Sequence, residues 1–132
     1  MRHILTLFLG LTALVGRSQL ITLTSADQTV TYNGNTVDVW APTENGQMSF
    51  ALDCTLNSDA PKQVNMRRYE LSHPAGYTEN SYCWGECYNS DTTGDHPVWF
   101  APTTVLMYPG QAFTGFDAYY DPEGIMGEAA FR

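Results

Sequence analysis

The chain has 132 residues, enough for one domain, with 43% hydrophobic and only 15% charged residues. That balance excludes intrinsic disorder, which needs low hydrophobicity and high charge. The formal charge is −8, and no basic stripe exists to neutralise phosphates, so a nucleic-acid partner is excluded.

The N-terminus reads as an address. Met1-Arg2-His3 is a short basic start, and Ile4 to Val15 is apolar apart from Thr6, Gly10 and Thr12. Gly16-Arg17-Ser18 then puts small residues at the third-last and last positions before Gln19. This is the layout of a secretory signal peptide, and the apolar run is shorter than the about 20 residues that span a bilayer. A retained anchor helix or buried helix is the alternative. A signal peptide over residues 1–18 leaves residues 19–132 as the domain, in a secreted, periplasmic or cell-surface location with no membrane span after cleavage. The remainder carries four basic against fourteen acidic side chains, a formal −10. Such a surface keeps an exported domain soluble. No Cys lies in or just after the leader, so nothing supports a lipid anchor.

Beyond residue 19 the chain alternates. Val30, Tyr32, Val37 and Val39 flank Asn33-Gly34, a strong hairpin signal that predicts Val30 facing Val37. From Met48 to Leu56 the period is two: Met48, Phe50, Leu52, Cys54 and Leu56 share one face, and Ser49, Ala51, Asp53 and Thr55 the other. Further strands are expected over Gln63 to Leu71, at Tyr82-Cys83, over Val98 to Phe100 and over Thr103 to Tyr108. Pro109-Gly110 marks a turn, and Ala112 to Tyr120 a long strand. Asp121-Pro122-Glu123-Gly124 has the residue types of a type I turn, and Gly127 to Arg132 begins one more strand. About seven short strands punctuated by turns predict an all-β, immunoglobulin-like or fibronectin-III-like antiparallel sandwich. The pattern stops at Arg132 inside a strand, which reads as a natural edge or as a cut through a longer protein; the cut is the expectation.

Three cysteines are present. In an exported chain the default partner of Cys83 is Cys87, across Trp84-Gly85-Glu86, and Gly85 lets so small a ring close. A free pair or a metal site is the alternative. The three-residue spacing weighs against redox and zinc motifs, which usually have two. Cys54, on the core face of its strand, is expected to be a small hydrophobe rather than a link to another chain.

Tyr82-Cys83-Trp84-Gly85-Glu86-Cys87-Tyr88 resembles the Cys-Trp-Gly-containing segment of Ig-like domains in secreted Bacteroidetes proteins. Val64-Asn65-Met66-Arg67-Arg68 is similar to the basic strand that precedes it there. Pro109-Gly110, Phe116, Tyr120, Pro122, Gly124 and Gly127 are similar to that family's later pattern. The resemblance covers residues 50–132. It implies a non-catalytic β-sandwich module of an exported protein, of the kind often found upstream of a type IX secretion C-terminal sorting domain. No sorting domain follows in this sequence, which departs from the pattern.

No GxSxG, HExxH, GxGxxG or P-loop is present. His73 and His96 sit beside prolines and read as turn residues rather than metal ligands. Asn89, Asp91, Thr93, Gly94 and Asp95 imitate the start of a calcium loop, but Phe100 stands at its twelfth position, so a polar loop is the plainer reading. Asp117, Asp121 and Glu123 are acidic residues at a strand end, where turn roles outnumber glycosidase roles. No catalytic residue, metal or cofactor is therefore assigned, and the chain is read as not an enzyme. Tyr82, Trp84, Tyr88 and Trp99 form a possible binding loop for protein or glycan; the competing reading buries Trp84 over the disulfide. The expected function is an interaction module, of the kind a fragment of a type IX secretion client would be. The partners are envelope proteins or further domains of the same chain. A structural subunit of a secretion or surface assembly and a glycan-binding accessory domain are the alternatives.

Overall fold

The computed structural model describes residues 19–32, 34–42, 44 and 46–132. The leader expected over residues 1–18 lies outside them, as does Asn33. Eleven strands follow in order: β1 (Ile21–Ser25), β2 (Met48–Leu56), β3 (Lys62–Val64), β4 (Arg67–Ser72), β5 (Glu79–Trp84), β6 (Glu86–Cys87), β7 (Asp91–Thr92), β8 (Val98–Phe100), β9 (Val105–Met107), β10 (Ala112–Asp121) and β11 (Ala130–Phe131). The described residues contain no α-helix, and every ladder between these strands is antiparallel. The chain is all-β.

The main sheet has the order β1-β2-β10-β5-β6, with β7 also paired to β5. Two smaller sheets, β11-β4-β8 and β3-β9, complete the set. Side chains of β2 and β5 meet Ala101, Met107, Val64 and Trp99 of the smaller sheets and their connections in one apolar core. The alternation read in β2 is realised: Leu52, Cys54 and Leu56 are buried, while Ser49 and Ala51 are exposed. Asp53 breaks it. It is buried on the other face, where its Oδ2 accepts a hydrogen bond from the Gln28 side chain at 3.3 Å.

The single strand expected over Gln63 to Leu71 is broken at Asn65-Met66 into β3 and β4. The Asn65 side chain is the cause. Its Oδ1 accepts the Met66 N–H at 2.7 Å and its Nδ2 donates to Ala101 O at 3.0 Å. Local side-chain bonds of this kind compete with a continuous ladder. The chain thereby switches from pairing β9 to pairing β8.

Among the described residues, Val30 and Tyr32 do not pair with Val37 and Val39 as the hairpin reading expects; Asn33 of the turn itself lies outside them. Thr31 bridges Thr24 of β1, and Tyr32 N–H donates to Leu23 O at 2.8 Å. The Val30–Tyr32 segment therefore pairs backwards with β1 rather than forwards with Val37 and Val39. Asp27 decides this: its carboxylate accepts bonds from the Ser25 hydroxyl and from both the N–H and hydroxyl of Thr29. Those bonds, Ser25 first, hold its carboxyl below the ordinary range. Residues 34–42 then run as a strap with no strand among them.

The turn after β10 is also displaced by one residue. Ile125 N–H donates to Pro122 O at 2.8 Å, so Glu123 and Gly124 are the central pair. Both have positive φ, 50° and 79°, which a type I turn cannot accommodate. Asp121 Oδ1 accepts the Glu123 N–H at 3.1 Å and so supports the strained residue from below.

Candidate functional site

Cys83 and Cys87 are joined by a disulfide, with Cα atoms 3.9 Å apart. They are direct partners across the two-strand β5–β6 hairpin, as are Trp84 and Glu86. Gly85 closes that hairpin at φ 74°, and a Cβ there would sit 3.1 Å from Val105 Cγ2. The positive φ favours glycine, and a larger residue would also press on the Val105 methyl. Gly85 N–H is tied at 3.0 Å to Gly115 O. Gly115 lies in the β10 irregularity between Phe113 and Phe116, where a Cβ would fall 2.6 Å from the Phe113 ring. The bulge puts both phenyl rings on Trp84, at centroid distances of 4.9 and 6.5 Å.

The four aromatic residues considered for a binding loop are brought together, but not as an exposed platform. Tyr82 is 1% and Trp84 4% exposed. Tyr82 meets Tyr88 and Trp99 edge-on, each at 5.1 Å. Trp84 Nε1 donates to Val64 O at 3.2 Å, and Tyr88 shares a hydrogen bond with Thr103. Large rings near a two-sheet boundary bury more area by packing inward than by standing in water, and the loop reading is corrected on that ground for Tyr82 and Trp84. Burial pushes the Tyr82 phenol up to about 12, with Tyr88 adding to the rise and Arg68 opposing it. Burial likewise raises the free, buried Cys54 thiol to about 11, and Asp53 adds to it.

Of the remaining sequence candidates, His96 and Asp91 are brought together and the others disperse. His96 Nδ1 pairs with the Asp91 carboxylate, and His73 Nδ1 faces Pro74 O at 3.0 Å. Thr93 is buried and accepts from Asn80 Nδ2 at 3.0 Å, so it faces away from any cation loop. Among the described residues no group of three or more His, Cys, Asp and Glu is placed to hold a metal. Asp117 and Asp121 lie four residues apart on one strand, about 13 Å at strand rise, too far for paired-carboxylate chemistry.

One buried polar cluster was not anticipated. The Arg68 guanidinium and the Glu70 carboxylate meet at 2.8 Å, their side chains only 8% and 4% exposed. Arg68 Nη2 also donates to His96 O at 2.7 Å, while Glu70 accepts from Gly94 N–H at 2.7 Å and from Asn80 Nδ2 at 3.3 Å. Burial lowers the Arg68 pKa, against the pull of Glu70. Its guanidinium lies over Trp99 at 5.1 Å and Phe131 at 5.4 Å. Its Nε and Nη1, Asn80 Oδ1 and the hydroxyls of Tyr82 and Tyr120 are buried without a hydrogen-bond partner. The available signal was the i, i+2 spacing of two opposite charges on a strand, which puts both on one face.

Beside this cluster lies an open cleft of about 810 Å³. Its floor is the inner face of the main sheet, including Ile21, Phe50, Leu52, Ala118 and Tyr120. Val64, Met66 and Phe131 line it from the smaller sheets, and Val37 and Trp40 of the strap border it. This size and apolar lining, with a few polar groups, are those of ligand-binding clefts. A smaller hollow of about 300 Å³ is lined by Asn89, Ser90, Asp91, His96 and Trp99.

Comparison with protein-family models, with curated proteins and with solved structures gave no match.

Proposed function

We propose that the chain is a non-catalytic, exported Ig-like β-sandwich module that binds its partner in the apolar cleft between its sheets. The cleft carries the proposal. Apolar surface on both walls of an 810 Å³ opening is favourable to cover and costly to leave wet. The leader-like residues 1–18 and the resemblance of Tyr82–Tyr88 to secreted Ig-like domains support an exported location and a place within a larger type IX secretion client. Binding through a glycan platform at Tyr82 and Trp84 is not retained, because those rings are packed in the core.

An apolar fluorescent dye, anilinonaphthalene sulfonate, tests the reading. The native domain, with its cooperative unfolding transition intact, is expected to enhance the dye at a single saturable site. Ala118→Trp, which places a ring in the cleft, is expected to abolish the enhancement. A native protein that leaves the dye unchanged has no open cleft, and the proposal then fails.

A further inference from the structure

The cleft has a second property besides being apolar: one of its walls is a sheet edge. β11 pairs with β4 on one side only, and among the described residues no strand lies on its other side. β11 is only two residues long, but even so short an edge leaves backbone polar groups on its outer side without a ladder partner. An occupant of the cleft therefore has backbone partners waiting for it as well as apolar ones.

The pleat at this edge is legible from the side-chain stacks. Arg68 and Phe131 face inward, with the guanidinium over the ring at 5.4 Å. Arg67, Tyr69 and Arg132 face outward: Arg67 lies over Phe100 at 4.1 Å, and Arg132 over Tyr69 at 5.1 Å. A strand laid along β11 would continue the same alternation. Its inward side chains would enter the cleft, and its outward ones would lie beside Arg132 and Tyr69.

Charge is distributed to match. Of the fourteen Asp and Glu, only Asp38 and Glu128 line the cleft; of the four described basic residues, Arg67 and Arg132 lie on its outer rim, and Arg68, facing into it, is already paired with Glu70. Among the described residues neither Arg67 nor Arg132 has a carboxylate partner. The cover at present is weak. The strap over residues 34–42 contributes one described backbone bond, Asn35 N–H to Tyr32 O, and leaves Trp40 88% exposed. Few buried contacts and few ladder bonds make such a segment inexpensive to displace.

From this geometry we infer that the cleft accepts an extended peptide strand, added to the free edge of β11, with apolar side chains on its inward positions and acidic ones on its outward positions. The inference rests on the cleft reading above and names its occupant. It is strand addition, in which main-chain bonds give affinity and alternate pockets give specificity.

The test uses the full chain and a panel of synthetic peptides about ten residues long, a common strand length. One set alternates Val, Ile or Phe with Asp or Glu. A second has the same composition in non-alternating order, a third replaces the acids by Lys, and a fourth is the first set N-methylated at alternate backbone nitrogens. Dodecanoate is the non-peptide control. Fluorescence anisotropy is expected to show binding of the alternating acidic set, weakened at least about tenfold by N-methylation, by scrambling and by the Lys replacement. Arg132→Glu, an exposed change that leaves the core intact, is expected to weaken the acidic set about fivefold and to strengthen the Lys set. On binding, the amides of Ala129 to Phe131 should gain exchange protection. If dodecanoate and the dye bind while no alternating peptide does, or if N-methylated peptides bind equally well, strand addition is overturned and the cleft remains. If neither dye, dodecanoate nor peptide binds, the cleft reading falls as well.

Discussion

The two ends of the main sheet's inner face solve the same problem differently. At the β5–β6 end, Trp84, Phe113, Phe116, Tyr82 and Trp99 interlock, and a disulfide, a bulge and a closing glycine fix the backbone around them. At the β1–β2 end, Ile21 and Phe50, both part-exposed, border an open cleft that reaches as far as Tyr82, Trp84 and Phe116. The cover there is a strap whose Trp40 stays in water. Apolar surface is thus buried by chain geometry at one end and left available at the other. On the proposal above, the difference puts stability near Cys83 and the proposed binding near β11, and the following substitutions are ways to break that division.

The largest effect is expected at Trp84. Trp84→Ala removes a buried ring held by Phe113, Phe116 and a hydrogen bond to Val64 O, and should cost about 3–5 kcal/mol in urea unfolding. Trp40→Ala, the same chemical change at the open end, should lie within about 0.5 kcal/mol of the parent. Equal losses at the two positions would erase the contrast.

Next is the disulfide. Replacing Cys83 and Cys87 together by Ser should cost about 2 kcal/mol, the value for so short a ring in the chain-entropy account. Intact mass without reductant should fall below the reduced mass by two hydrogens, with one thiol, Cys54, alkylated only after unfolding. Two reactive thiols in the unreduced chain would contradict the bridge.

A smaller effect follows from alkali. Tyr82 holds its proton up to about 12 in the folded state against an ordinary value near 10, and Cys54 up to about 11 against 9.0. The unfolded chain therefore loses these protons first. Their contribution to stability is fully present below the unfolded values and is lost as pH rises through the folded ones. Urea midpoints should fall between about pH 9 and 12, and Tyr82→Phe should flatten the upper part of that fall. An unchanged profile in Tyr82→Phe would show that the phenol is not buried.

Much of the strand pattern was legible because it rests on local rules. The β2 alternation, the strand at Val98–Phe100 and the glycine-closed Cys83–Cys87 ring follow from period, turn chemistry and spacing. What was misread was decided by side chains reaching the backbone or by contacts distant in sequence. Asp27 and Ser25 redirected Val30–Tyr32 to β1, although Asn-Gly favoured a hairpin ahead of it. Asn65 broke a strand that its apolar neighbours would have continued. The Arg68–Glu70 cluster needs Asn80 of β5 and Gly94 and His96 of the β7–β8 connection. The cleft was invisible for the same reason: its walls are far apart in the chain, and its emptiness depends on where the strap does not go.

Native-state hydrogen exchange tests the division most directly. Amides of β2, β5 and β10 are expected to exchange only through global unfolding, while those of residues 34–42 exchange nearly as fast as an unfolded chain. Protection of residues 34–42 equal to that of β2 would mean that the strap closes the cleft as firmly as the core is closed, and the account would be contradicted.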